Sequence, residues 1–333
     1  MLITSLRRTL MQSGLTLAVA GAAALPASAA SYTYQLITVA GAVQTNPVAV
    51  NASGAVLAYW DDSTYTPHYF TWVGGKMTTV SIANAASLSA TGMNDSGNIC
   101  GSYTDSSGNA HGYILYANGK VKTIDYPGSS DTYISAMNND DDLAGSTYAN
   151  GTDSGFVDIK GKFTVFNSTN FTTPLAINKH GSVTGYVSTE TGSETFFVYE
   201  NGVFTSTPLP NTYFSAGFAI NAHNLVVGQL ANPTRQEYGF FYSSAGHEKI
   251  IGPHGSTDSF ATGINDNGDV TGANFDSKIV STGYVYSKGA YTTLSIPGYT
   301  NFGGVAINNA GQVLGDYVDA NGTPQTFLAT PAK

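Results

Sequence analysis

An asparagine returns along this chain at a nearly constant interval. Asn51, Asn94, Asn138, Asn178, Asn221, Asn265 and Asn308 lie 43, 44, 40, 43, 44 and 43 residues apart. Each sits in the same short phrase: a small residue, an aliphatic, the Asn, a turn, an aliphatic and a small residue, as in AINKHGSVTG (176–185) and GINDNGDVTG (263–272). Seven copies of a roughly 43-residue unit, rich in β-branched and aromatic residues and in Gly-centred turns, predict an all-β seven-bladed β-propeller.

The copies define the demands of each position. Three residues after the Asn stand Gly54, Gly97, Asp141, Gly181, Asn224, Gly268 and Gly311. These residue types best tolerate positive φ, so this is the left-handed position of a tight turn. Five after the Asn there is always Val, Ile or Leu. Seven after it comes Gly101, Gly145, Gly185, Gly228, Gly272 or Gly315, with Ala58 in the first copy. A strand position restricted to Gly or Ala implies close approach of another backbone or ring. The seven Asn are read as turn fasteners that bond their own backbone two residues on, rather than as ligands around a central channel.

Each unit divides into four short strands, in the second copy about 89–93, 98–103, 111–116 and 120–125. Hairpin signals such as Asn118-Gly119, Lys160-Gly161, Asn201-Gly202 and Lys288-Gly289 join the third to the fourth. The last copy holds three strands, and the strand-like 34–39 precedes the first Asn. Pairing 34–39 with 324–329 is expected to close the ring and remove its open sheet edges. Residues 31–333 are therefore read as one domain of four-stranded blades closed by the amino-terminal strand.

Residues 1–30 read as a signal peptide: Arg7-Arg8, an apolar stretch from Leu15 to Leu25, and Ala27-Ser28-Ala29-Ala30 before a cleavage point. The apolar run is shorter than the roughly 20 residues of a membrane span, so a secreted or periplasmic product is expected. LRRTLMQ leaves Sec and twin-arginine export both open. The chain has 13 Lys and Arg against 22 Asp and Glu, a net charge of −9, and loss of the leader removes two Arg and no acid. Such a surface argues against nucleic acid and anionic membranes as partners. Charged residues are only 11% of the chain, which suits neutral polar ligands such as glycans. Cys100, the single cysteine, occupies a strand position and reads as a buried structural thiol.

The phrases TIDYPGSSDTYISAMNNDDDLAGSTY (123–148) and GMNDSGNICGSYTDSSGNAHGYILYANGKVKTIDYPG (92–128) resemble the bacterial extracellular HAF repeats. Those combine a Pro-Gly turn, a Gly-Ile-Asn-Asp-x-Gly core, a Val-x-Gly strand and a His-x-Phe-like strand opening. The resemblance covers nearly the whole chain after the leader. It departs at the His, kept only at His68 and His111, and at the Pro-Gly, kept at 127–128 and 297–298. It implies export and a propeller-like array, and it transfers no catalytic residue.

No G-x-S-x-G, H-E-x-x-H, C-x-x-C or P-loop motif is present, and nothing in the sequence calls for a cofactor. His254, Ser256 and Asp258 crowd one loop, too close in sequence for a catalytic triad. Asp140, Asp141 and Asp142 offer clustered oxygens to Ca²⁺ without EF-hand spacing, and they are read as a solvated turn. The most suggestive residues lie where one blade passes to the next: Asp131 and Tyr133, Asn170 and Phe171, Tyr213, Asp258 and Phe260, Tyr299 and Asn301. Aromatic faces beside amide and acid groups hold sugar rings by stacking on C–H faces and bonding hydroxyls; the competing role for these rings is to wedge between blades. The expectation is a binding module for a glycan or other extracellular polymer. A polysaccharide lyase or hydrolase with its site in the central depression, and a protein-interaction scaffold, stand as alternatives.

Overall fold

The computed structural model describes residues 31–332 apart from 150–151, 167–170, 189–191, 207 and 244–247. The expected leader, residues 1–30, and the candidate Asn170 lie outside the described residues. The chain forms seven antiparallel four-stranded sheets. Six are built from consecutive strands, spanning 44–79, 87–124, 131–166, 172–206, 214–251 and 258–294; they are blades 1 to 6. Blade 7 takes its first three strands from 300–331 and its fourth from the amino terminus. The strand Tyr32–Ile37 pairs with Pro324–Pro331 in the register Tyr32↔Pro331 to Ile37↔Thr326. Closure is as the sequence predicts, but the strand begins two residues earlier. Thr38 and Val39 leave the sheet because the Val39 carbonyl accepts the Ala42 N–H (3.1 Å) in a turn containing Gly41 at φ +80°.

The first strands of consecutive blades touch one another right round the ring, so the Asn-bearing strand is innermost. Each of these strands carries a β-bulge, between Ile134 and Ala136 in blade 3 and at matching places in the others. The bulge drives a backbone carbonyl toward the second strand, and the conserved spacing of glycines meets it there. A methyl on Gly185 would strike the Thr173 carbonyl oxygen and stand 3.0 Å from the Phe197 ring. Gly145, Gly228 and Gly315 likewise lie beneath Phe156, Phe240 and Phe327, while Tyr284 covers Gly272 and donates to the Phe260 carbonyl (2.8 Å). These third-strand rings are among the most deeply buried side chains of the protein. Wedge-shaped clusters between neighbouring blades make up the core, as where Cys100, Ile114 and Ile124 meet Ile134, Leu143 and Phe156. Cys100 is fully buried and burial pushes its thiol up to about 12, which leaves it inert.

The recurrent Asn does more than fasten its turn. In every copy its Oδ1 accepts the N–H groups two and four residues on, as from His223 (2.9 Å) and Leu225 (3.1 Å) to Asn221. Its Nδ2 then donates to the backbone carbonyl of the Asn in the next blade, for example Asn221 to Asn265 (3.0 Å) and Asn265 to Asn308 (3.0 Å). Asn308 returns to Asn51 (2.9 Å), so the chain of bonds crosses the seam. The step from blade 2 alone differs, with Asn94 donating to the Asp141 carboxylate (2.8 Å). At the next residue a second belt runs outside the first: Asp95 with Asn139, and Asp266 with Asn309.

Two outcomes are expected. Deleting 31–40 exposes the edge of the strand at 324–331 and should cost several kcal/mol, a large part of the roughly 5–15 kcal/mol that holds an ordinary domain together; an unchanged melting temperature would contradict closure by that strand. Asn221→Ala leaves the partly buried N–H groups of His223 and Leu225 without partners and takes one of two donors from the Asn265 carbonyl, which keeps Gly268 N, and should cost about 2–4 kcal/mol by urea titration.

Candidate functional site

The hairpins joining second to third strands and the connections between blades share one end of the ring, called here the upper face. The Asn turns and the third-to-fourth hairpins occupy the lower face. On the upper face, between blades 2 and 3, lies a shallow cleft of about 420 Å³ lined by Asn109, Ala110, His111, Asp125, Tyr126, Pro127, Gly128, Ser129, Ser130 and Thr132. Its charged centre is His111. The ring stacks on Tyr103 (centroids 5.1 Å apart, 28° between planes). Nδ1 faces Asp125 Oδ1 at 2.8 Å and Nε2 faces Asp105 Oδ2 at 3.4 Å.

These contacts set the protonation states. The Asp125 hydrogen bond, aided by Asp105 and opposed by partial burial, raises the His111 pKa above 6.5. The Asp105 pKa is lowered to about 2, first by the Asn109 side chain and backbone N–H and then by His111. Asp105 also caps its own hairpin, with Oδ1 accepting Ser107 N (2.8 Å) and Asn109 N (2.9 Å). Blade 1 repeats the motif in simpler form: His68 stacks on Trp60 at 4.3 Å and meets Asp62 at 2.9 Å, which together with the Thr64 hydroxyl holds the Asp62 carboxyl well below its usual range. The sequence reading noted both histidines only as repeat features. The signal that marks them is an Asp six residues before each His and an aromatic two residues before that Asp.

The structure divides the predicted residues into two groups. Tyr133, Phe171 and Tyr213 are exposed, at 48%, 61% and 49%. The Arg235 guanidinium lies over the Tyr213 ring, 5.2 Å from its centroid. Phe260 is buried and meets Phe275 edge-on, so it offers no ring face to a ligand. Tyr299 is half-buried, edge-on to Tyr317 in the core between blades 6 and 7. The polar candidates Asp131, Asp258 and Asn301 share one register, seven residues before the repeat Asn, and one role. Their Oδ1 atoms accept Ala110 N (3.0 Å), Glu237 N (3.0 Å) and Ser281 N (3.3 Å), each from the third strand of the preceding blade. They staple blades together because each of those N–H groups begins a strand with no ladder partner beside it.

Tyr148, which sequence reading passed over, is also exposed on the upper face, at 44%. It lies directly opposite Asp131 on one side and Asp153 on the other in the blade 3 sheet.

The remaining candidates are occupied locally. Asp141 accepts from the side chains of Asn94 (2.8 Å) and Asn98 (3.0 Å), and Asp142 from Asn138 (3.1 Å) and Lys160 N (3.1 Å), while Asp140 is exposed. Among the described residues no group of three or more His, Cys, Asp or Glu is placed to hold a metal ion. Ser256 bonds the Pro253 carbonyl (2.7 Å) and Asp258 the Glu237 N–H, so with His254 they form no relay. The residue inserted by each bulge is half-buried although neighbouring blades cover both faces of its strand, so its free side turns to the axis. These are Val48, Thr91, Ser135, Leu175, Phe218, Thr262 and Val305, and the Thr91 and Thr262 hydroxyls donate to the next blade. None of these axial side chains is acidic or basic.

No family model and no curated protein sequence matches the chain. Solved structures match its fold at low identity. It is similar to the propeller domain of the Trilobed protease from Pyrococcus furiosus (TM-score 0.58, 11% identity, 86% of this chain and 95% of that one). It is also similar to a prolyl endopeptidase (0.62, 10%, 88% of this chain), of which it spans about half, 51%. A third is the BP39L lectin from Burkholderia pseudomallei (0.52, 9%, 88% and 99%). At these identities the likeness carries the fold alone: a seven-bladed β-propeller, with no family assigned.

The His111 cluster gives a pH test. A raised folded pKa stabilises fully below the unfolded value of 6.5 and is lost as pH rises through the folded value. Between pH 5.5 and 8.5 the wild type should therefore lose more thermal stability than His111→Gln. Equal losses would mean that Asp105 and Asp125 do not hold the imidazolium.

Proposed function

We propose that this protein is an exported binding module that holds a glycan or another extracellular polymer on its upper face. The observation that carries the reading is the exposure of Tyr133, Tyr148 and Phe171 there, in a protein whose other described Phe, Tyr and Trp rings, apart from Tyr65 and Tyr213, are buried or half-buried. Solvent-facing tyrosines retained beside a polar cleft provide stacking platforms next to hydrogen-bonding groups, the combination that suits a pyranose. Export rests on the character of residues 1–30 and on the resemblance to HAF repeats.

One observation speaks for an enzyme instead, the His111 imidazole between two carboxylates at a cleft mouth. The direction of its shift weakens that reading. A histidine whose protonated form is favoured by acids at both ring nitrogens is poorly suited to act as a base, and Asp105 is already engaged by its own hairpin. A protein-interaction scaffold would require a continuous apolar patch, yet the exposed aliphatics Leu36, Val73, Met77, Val203, Ile250, Ile279 and Val280 are spread over five blades, with no more than two in any one.

A glycan array on the wild type, followed by calorimetry on variants, tests the proposal. Tyr133→Ala and Phe171→Ala should keep stability within about 0.5 kcal/mol, as exposed sites do. Each should weaken binding by roughly 1–2 kcal/mol, the scale of one lost aromatic platform. A silent array together with destabilised variants would return these rings to a purely structural role.

A further inference from the structure

The Lys and Arg of this protein are sorted by face, whereas its acids stand at both ends: Asp95, Asp140, Asp141, Asp266 and Asp269 share the lower turns with the lysines and offset them. Asp62, Asp105, Asp125, Asp153, Asp276 and Asp319 all stand on the upper hairpins and connections, where Arg235 and Lys278 are the only Lys or Arg among the described residues. Lys76, Lys120, Lys160, Lys179 and Lys288 stand at turns of the opposite face. Arg235 is itself laid over Tyr213.

The sorting becomes local in blade 3. Asp131, Tyr148 and Asp153 are directly opposed across three neighbouring strands, so their side chains form a row on one side of the sheet. Adjacent members are about 5 Å apart at this spacing. Tyr133, two residues beyond Asp131, shares that side. Burial and then the neighbouring charge of Asp131 raise the Asp153 pKa, and both carboxylates act on the Tyr133 phenol. The Pro127–Asp131 turn separates this row from the His111 cleft, and Ser129 pins the turn to the Tyr148 carbonyl (2.8 Å).

Resting on the reading of the upper face as a glycan site, we infer that its ligand is a cationic glycan, a polymer of amino sugars with free ammonium groups. A pyranose stacked on Tyr148 has Asp153 at one edge of the ring, within reach of an ammonium on the sugar, and at the other the charge of Asp131, whose oxygens also accept from Ala110 N (3.0 Å) and Ser130 Oγ (2.9 Å). A uronic acid in the same place would meet two like charges and no compensating cation. The surrounding acid also steers a polycation toward this face.

Calorimetry on the full mature chain separates the cases, using a glucosamine hexamer, an N-acetylglucosamine hexamer, an oligogalacturonate and oligolysine at pH 6. The glucosamine hexamer should bind best and weaken as salt rises. Asp153→Asn should weaken it about fivefold, the scale of one exposed charge pair, and Tyr148→Ala should weaken it too, with both variants melting like the wild type. Equal or tighter binding of the N-acetylated or uronic oligomer would overturn the cationic class while leaving the glycan reading intact. Binding of oligolysine alone would overturn both.

Discussion

One side chain, repeated seven times, ties this ring together. The Asn at the end of each innermost strand uses its acceptor to close its own turn and its donor to hold the next blade. No shorter or charged residue can do both. Asp lacks the donor, and Ser or Thr cannot reach two N–H groups and a carbonyl of another blade together. Since all seven are buried, each unmade bond would leave a desolvated polar group, so the motif specifies the assembly as well as stabilising it. The turn geometry, the left-handed residue three positions on and the placing of the bulge all follow from fixing this one group.

Fixing the lower end leaves the upper end comparatively free. Below the bulge the copies are nearly interchangeable, because every position there answers to the Asn belt, the bulge carbonyl or the ring lying over the strand glycine. Above it the copies diverge: the position five residues before the Asn is Asn46, Ser89, Tyr133, Thr173, Ala216, Phe260 or Gly303. That position is buried in blades 1, 5 and 6 and exposed in blades 2 and 3. A seven-fold scaffold with one specialised sector results, since neighbouring hairpins rest on strands that the lower end already holds in register.

This division explains what could be read from sequence. Blade number, strand count, the positive-φ turns and the restriction to Gly were legible because comparison among the copies isolates physical demands. The upper face was less so. Asp131, Asp258 and Asn301 look like ligand groups when read with their aromatic neighbours, but counted from the repeat Asn they share one register, and that regularity belongs to a staple between blades. The aromatics lie five, seven, eight and nine residues before the Asn, so they never were equivalent positions. Tyr133 and Phe260 do share a register, and each has an aromatic at the same place on the second strand, Tyr148 and Phe275, yet one is exposed and the other buried.

The exposed sector also coincides with a break in the interval series. The one short step, 40 residues from Asn138 to Asn178, takes most of its shortening from the upper face. From Phe166 to Thr172 the connection advances six positions, where Ile124 to Thr132 advances eight, although Phe166 and Ile124 hold the same place opposite a strand glycine and both Thr lie six before an Asn. Tyr148 and Asp153 pair five positions apart, where Asp61 and Pro67 pair six apart. Tyr133 and Tyr148 are exposed in blade 3, whereas Phe260, at the register of Tyr133, is buried in blade 6. On the lower face the Asn turns keep one length in every copy, while the third-to-fourth hairpins vary by a single residue, as between Gly155–Phe166 and Gly112–Ile124. The irregular interval in an otherwise regular sequence thus falls in the copy whose Tyr133 and Tyr148 are exposed.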